Sequence, residues 1–456
     1  MAGIGFRLRE MAQRKTFAEW LKLYTYSAVI FSGPWLISIL GLAALSIFAM
    51  PSMQDRDVRV FTVTIVYIYC FSLITTGLLQ LVATRYVSDQ FYLRNPDAVV
   101  PTFVGVLVVT ILVQTVTGAI ALYFADLSFL YKMTALGLYV SVSVIWVDML
   151  FLSATKDYAN IVIAFALGYL TSFLLSQLLS VFFGLDGLAI GFLIGQVLLM
   201  SLLMHRVFAE YHFGEGFSFE FLTYFKRFPA LAISGCAYNT AIWIDKILFW
   251  YSDTGVPIHS YFRTHFPYDS AMFIAYVTIL PTLAIFLLRI ETDFYLRYKN
   301  YYGTILQKAP LALILQRKAE MMGVLRQALK AVLIWQGVVT MGSFLLMPFL
   351  VSLMGIDPAD TPVFRVATIG SFFHGGLLIL LILVLYFDFR GSAVILSLLF
   401  LVLNVVLTLI SLRLGPAFYG FGYTLACAIT LAVGFFIFNN RIKNLEYLTF
   451  MRQPVG

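Results

Sequence analysis

The chain has 456 residues, of which 61% are hydrophobic and only 12% charged, and its mean hydropathy is +0.91. Soluble proteins carry about 25% charged residues, so this composition excludes a water-soluble globular fold and implies a polytopic membrane protein. The net charge of +7 leaves two readings, nucleic-acid binding or a topological excess of Lys and Arg on one side of a bilayer, and the placement of the charges decides between them.

Residues 5–22 are basic and amphipathic, with Phe17, Trp20, Leu21 and Tyr24 at helical spacing. They read as a surface helix leading into the first span, because the apolar run that follows is too long for a signal peptide. About 20 apolar residues cross the hydrocarbon as a helix. Runs of that kind lie at roughly 25–49, 60–82, 101–124, 133–153, 159–182 and 185–207. After a polar gap they resume at 229–250, 269–289, 331–354, 364–387, 391–412 and 417–438. The predicted fold is therefore an all-α integral membrane protein of about twelve transmembrane helices. A barrel would show short alternating segments instead of unbroken apolar runs.

With the N-terminus in the cytoplasm, about 23 Lys and Arg fall inside and about 6 outside, which places both termini in the cytoplasm and assigns the basic balance to topology. Nucleic-acid binding is excluded on that ground. Cys70, Cys236 and Cys427 sit far apart in apolar runs and read as small buried hydrophobes, not as disulfides or metal ligands.

Residues 208–228 divide the spans six and six. The expected organisation is an amphipathic cytoplasmic segment at 1–24, a first lobe at 25–207, a cytoplasmic linker at 208–228 and a second lobe at 229–438. The second lobe carries a cytoplasmic loop at 290–330, and a cytoplasmic tail follows at 439–456. "IFSG" at 30–33 is echoed by "AISG" at 232–235, and "GLDGLAIG" at 184–191 by "GPAFYGFG" at 415–422. Each of the latter reads as a glycine turn followed by small residues. An even number of spans per half makes the halves parallel repeats, an arrangement that puts a substrate path between them.

Those glycine turns, the opening "MAGIGFRLREM", the "YSAVIFSGPWL" of span one and the "IWIDKILFW" of span seven resemble a known group. The chain is similar to the polysaccharide flippases of the multidrug/oligosaccharidyl-lipid/polysaccharide exporter superfamily, and within it to the Pel exopolysaccharide transporters. The resemblance implies an inner-membrane protein of a Gram-negative biofilm former that moves a polymer rich in N-acetylgalactosamine. It also implies as partners a cytoplasmic glycosyltransferase (PelF), a cyclic-di-GMP receptor (PelD) and a scaffold (PelE). A drug antiporter of the same architecture and a non-transporting membrane scaffold are the alternatives.

Ionisable groups inside the spans are few, and at about 2.5–3.5 kcal/mol each near the bilayer centre they belong in a bundle interior or a wet cavity. Asp148 lies near the end of span four, His374 near the middle of span ten, and Asp245 and Lys246 in span seven. On a helix Asn239, Trp243 and Lys246 share one stripe, while Tyr238, Ile242, Asp245 and Phe249 share another. Neighbours about 100° apart are not expected to form a facing ion pair. Both stripes are candidates to line a path, with Trp243 and Tyr238 offering ring faces to sugars. The alternative has Lys246 snorkelling to the interface with Asp245 as its partner. Asp148 and His374 are candidates for coupling or, equally, for structural hydrogen bonding. Gly33–Pro34, Pro281 and Pro348 are expected to kink or break their spans.

No enzyme motif stands out. "DRD" at 55–57 has the look of a metal-binding Asp-x-Asp, but the expected topology puts it in an external loop. There is no P-loop, HExxH or dinucleotide fingerprint, and no cofactor or metal is implied. Within the loop 290–330, Phe294, Tyr298, Tyr301 and Ile305 recur at helical spacing among Arg297, Lys299, Lys308, Arg317 and Lys318. That pattern predicts an amphipathic helix, lying on anionic lipid or docking a soluble partner.

Overall fold

A computed structural model describes residues 54–153, 158–211, 216–353 and 356–451, together with Ile37, Ser38, Gly41 and Leu45. The expected surface helix at 5–22, most of the first span and Gly33–Pro34 lie outside the described residues. Helices follow in chain order: α1 (Asp55–Tyr92), α2 (Val99–Tyr123), α3 (Phe129–Leu152), α4 (Tyr158–Glu210) and α5 (Pro229–Trp250). A hairpin of β1 (Val256–His259) and β2 (Phe262–Thr264) precedes α6 (Phe266–Val277) and α7 (Leu280–Arg289). Then come a π turn (Ile290–Phe294), α8 (Tyr295–Leu306), α9 (Leu311–Leu353), α10 (Thr361–Tyr386), α11 (Arg390–Leu414), α12 (Phe421–Lys443) and α13 (Leu445–Met451).

Among the described residues nine helices are long and apolar enough to cross a membrane. In hydrocarbon every backbone polar group must be satisfied within the chain, which helices achieve locally. Proline in the first turn starts α5, α6 and α10, where its missing N–H costs nothing. Asp55 and Asp57 of the Asp-x-Asp stretch occupy the first turn of α1, where carboxylates favour the positive end of the helix dipole. Span eight breaks where expected: α6 ends at Val277, and α7 resumes at Leu280 beside Pro281. Pro348 does not end its span, because α9 continues through it.

The chain folds as two compact units. The first holds residues 1–227, 256–264 and 280–335; the second holds 228–255, 265–279 and 336–456. In the first unit α4 is two antiparallel arms joined at Gly184, whose φ of 56° and ψ of −130° lie outside the helical region. Gly187, Gly191 and Gly195 form a stripe at four-residue spacing, and a Cβ on any of them would strike the facing arm at Leu179, Ser176 and Ser172 respectively. The stripe lets the two backbones touch. Around them the core is aromatic, with Phe61 edge-on to Phe192 at 5.7 Å and Phe103 against Phe151 at 5.0 Å.

The segment expected to be a linker is packed onto this unit. Ser218 N donates to Pro101 O at 2.9 Å, Tyr86 Oη to Glu220 Oε2 at 2.8 Å, and Tyr224 Oη to Asp89 Oδ2 at 3.1 Å. The hairpin, which the hydropathy pattern does not reveal, pairs Val256 with Thr264 and Pro257 with Arg263. It is fastened to α1 and α2 by Tyr67 Oη donating to Arg263 O at 3.1 Å and Tyr261 Oη donating to Ala121 O at 3.0 Å.

The loop 290–330 is helical throughout most of its length, as its periodicity predicts. Its aromatic stripe does not lie on lipid, however: Phe294, Tyr301 and Ile305 are buried in protein. An apolar stripe specifies a buried face without saying whether protein or lipid covers it. Exposed apolar side chains, of the kind a lipid-facing surface needs, belong instead to the later part of α9, where Leu333, Trp335, Met341, Leu345 and Phe349 are exposed.

Candidate functional site

The second unit concentrates polar side chains in a lobe that is otherwise apolar. On α5, Asp245 and Lys246 are buried, at 0% and 6% exposure. Their side chains do meet. The Lys246 ammonium curls back one turn, donating to Ile242 O at 2.8 Å and to both Asp245 carboxylate oxygens at 3.2 and 3.3 Å. The expectation of diverging neighbours fails because a four-carbon stem spans the 100° that separates the two Cβ directions. The ammonium turns back into the protein instead of extending to the surface.

Other helices complete the shell. From α6, Tyr268 Oη donates to Asp245 Oδ2 at 2.8 Å, and Tyr276 Oη accepts from Lys246 at 3.4 Å. Tyr268 also stacks flat on Phe249 with ring centroids 3.7 Å apart. The ammonium lies over the faces of Tyr276 and Trp243, at 4.8 and 5.5 Å from their centroids. These rings attract the cation through their quadrupoles, so its charge is met on several sides by a carboxylate, a carbonyl and two π faces.

The cluster extends toward α10 and α12. The ring of Tyr276 is edge-on to His374 at 5.4 Å and to Tyr423 at 6.1 Å. His374 is buried with both ring nitrogens engaged, Nδ1 with Tyr423 Oη at 2.7 Å and Nε2 with Tyr238 Oη at 3.0 Å. One nitrogen of a neutral imidazole donates and the other accepts, so the two tyrosines must take opposite roles. Carboxylate, ammonium, phenols and imidazole thus form a continuous seam from Asp245 to Tyr238.

Of the residues singled out in the sequence, Tyr238, Trp243, Asp245, Lys246 and His374 come together here. Asn239 is buried on the same helix. Asp148 belongs to the other unit, fully buried on α3, where among the described residues neither carboxylate oxygen has a hydrogen-bond partner. The pattern missed Tyr268, Tyr276 and Tyr423. Their one signal was position, because Tyr276 and Tyr423 sit within spans, whereas tyrosine usually gathers at interfaces. Among the described residues no cluster of His, Cys, Asp or Glu could hold a metal ion, and Cys70, Cys236 and Cys427 form no disulfide with one another.

At the end of this seam His265 caps α6, its Nδ1 accepting from Tyr268 N at 3.2 Å. Its ring packs against Phe249 at 5.1 Å and Tyr419 at 5.7 Å. Burial pushes the imidazole below its usual range, against the raising effects of a backbone hydrogen bond and Asp360. The unfolded chain therefore binds the proton first on acidification, and stability falls as pH drops through about 6.5 toward the lower folded value. Protonation of Nδ1 also removes the acceptor. Thermal unfolding is expected to show this acid loss in the parent and a flatter profile in His265→Asn, which caps without titrating. Identical profiles would refute the assignment.

The fold is that of known membrane transporters. Over 92% of this chain and 96% of the other, it matches an outward-facing multidrug-resistance MATE transporter of the MOP superfamily, with a TM-score of 0.67 at 15% identity. A MATE protein crystallised with MaL6 gives 0.69 at 13% identity, covering 93% and 96%. A MOP-superfamily transporter from Pyrococcus furiosus, described as having a binding pocket of reversed polarity, gives 0.66 at 15% identity over 93% and 96%. No curated protein matches the sequence. One family model, PelG, "Putative exopolysaccharide Exporter (EPS-E)", matches residues 1–450. A match of that extent, on a transporter fold of membrane-spanning helices, makes this chain a member of the PelG exopolysaccharide-exporter family.

Proposed function

We propose that the chain carries a Pel-type polysaccharide, rich in N-acetylgalactosamine, across the cytoplasmic membrane. In this reading it works with a cytoplasmic glycosyltransferase and membrane partners of the PelF, PelD and PelE kinds. It is a transporter and not an enzyme, and any energy input comes from an ion gradient or from polymer growth on the partner enzyme.

Family membership over residues 1–450 carries this reading. The seam in the second unit supports it physically. Buried charges are expensive in a bilayer and tend to mark substrate or ion pathways, and phenol and indole faces beside hydroxyl and carboxylate groups suit sugar rings. Asp245, Lys246, Trp243, Tyr238, Asn239 and His374 are the candidate path residues, and Asp148 is a candidate coupling group in the other unit.

The test is export of the polymer by cells producing an Asp245→Asn, Lys246→Met double variant. That pair of changes removes both charges together and leaves neither buried alone. Loss of extracellular polymer at normal protein level is expected, and undiminished export would sink the assignment of the seam. Small-solute antiport is a second reading, favoured by the MATE-like fold. Binding of cationic drugs by the purified chain, with no binding of N-acetylgalactosamine oligosaccharides, would replace the first reading with the second.

A further inference from the structure

The first unit holds a cavity of about 440 Å³ that the transport reading does not use. Its volume falls within the ~300–1,000 Å³ typical of ligand sites. Arg289, Asp293, Arg297 and Asn300 line one side, with Gln327 of α9 on the other. Residues 289, 293, 297 and 300 recur every three or four positions, so they form one stripe running from the end of α7 through the π turn into α8. π turns widen a helix locally and concentrate at functional sites.

The chemistry of this lining is that of an anion site. Two guanidiniums and two carboxamides can donate to a phosphate, and guanidinium does so with two parallel N–H groups. Glu320 of α9 accepts from Arg297 Nη1 at 3.0 Å and from Arg317 Nη1 at 3.0 Å. It orients Arg297 at the rim through Nη1, which is one of the two terminal nitrogens of a guanidinium with five N–H donors. Among the described residues Arg289 has no carboxylate partner. Residues 289–330 carry eight Lys and Arg against three Asp and Glu, so the surrounding field is positive.

Position along α9 relates the cavity to the apolar part of that helix. The exposed apolar stretch of α9 resumes at Leu333 and Ile334, six residues beyond Gln327, or about 9 Å at ~1.5 Å per residue. The cavity therefore lies less than two helical turns before the exposed apolar part of α9, close enough for a lipid headgroup to be one source of its ligand. Leu296 and Val324 add apolar lining, and Asp293 can accept a hydrogen bond from a ligand hydroxyl. We infer that this cavity binds the phosphate group of a phosphate-bearing ligand, with Arg289 and Arg297 as its principal donors. The inference goes beyond transport and stands independently of which solute the seam carries.

The experiment uses the full chain, purified in neutral detergent, with two probes. Phosphatidylglycerol is read against phosphatidylcholine by retention in native mass spectrometry, and inorganic pyrophosphate is read by calorimetric titration. One variant is Arg289→Gln with Arg297→Gln. The control is Lys299→Gln with Lys308→Gln, which removes the same charge from the same segment but outside the cavity. Loss of one or both charge-assisted contacts is expected to weaken binding about tenfold in the arginine pair and to leave the control at the parent level. Dependence on phosphatidylglycerol identifies a lipid headgroup as the source, and dependence on pyrophosphate identifies a soluble phosphate; either upholds the site. Equal weakening in both pairs, or no binding of either probe, overturns it. If the arginine pair fails to fold, Gln327→Leu, which keeps every charge and removes one donor, is read in its place against the same control.

Discussion

Replacing Asp245 with alanine is expected to destabilise the protein by about 3–5 kcal/mol, the usual cost of stranding one member of a buried ion pair. The change leaves the Lys246 ammonium buried at 6% exposure with Ile242 O, the Tyr276 hydroxyl and two ring faces but no counter-charge. It also strips Tyr268 Oη of its acceptor, 2.8 Å away. The double variant Asp245→Asn, Lys246→Met should recover most of that loss, because no charge is left unpaired. Thermal unfolding of the parent, the single and the double variant in one detergent measures the difference. A single variant as stable as the parent would show that water, and not the carboxylate, satisfies Lys246. This stability arm is separate from export: a double variant that folds but does not export identifies the seam as functional, beyond its structural role.

The second large effect lies in the other unit. Gly191→Leu is expected to cost about 3 kcal/mol, at the upper end of overpacking penalties, and to lower the yield of folded protein. A side chain there meets the backbone of Ser176 directly, an obstacle that cannot rotate away. Gly303→Ala is the contrasting change, because nothing lies near a Cβ at that position in α8. It should stabilise by about 0.5–1 kcal/mol through helix propensity alone. Melting temperatures that move by the same amount in the two variants would refute the close packing of the α4 arms.

Much of the architecture was legible because its cause is local. Hydrocarbon demands long apolar helices, and glycine or proline can mark where they break, so the helical character of the described spans, the turn at Gly184 and the interruption near Pro281 could be read in the sequence. The hairpin at 256–264 was not legible. Its strands are too short for a period-2 signal, and its stability comes from Tyr67 and Tyr261, whose partners lie far away in sequence. The candidate site was half legible: charge in an apolar span identified Asp245, Lys246 and His374. Tyr268, Tyr276 and Tyr423 join them through helix packing, which no spacing rule encodes. The helix at 295–306 shows the same limit from the other side: its apolar stripe has the expected register, but the chain itself covers Phe294, Tyr301 and Ile305, where lipid or a docked partner was expected.

The division of the chain into compact units constrains how the protein can be dissected. The covalent path passes between the units at 227/228, 255/256, 264/265, 279/280 and 335/336. A gene cut once at the obvious place, before Phe228, therefore yields no self-sufficient halves. The upstream fragment lacks the hairpin and residues 280–335, and the downstream fragment carries both as stretches with nothing to fold against. Fragment complementation should succeed only when the two pieces are made together, so exchanging halves between homologues would have to move these segments with the first unit.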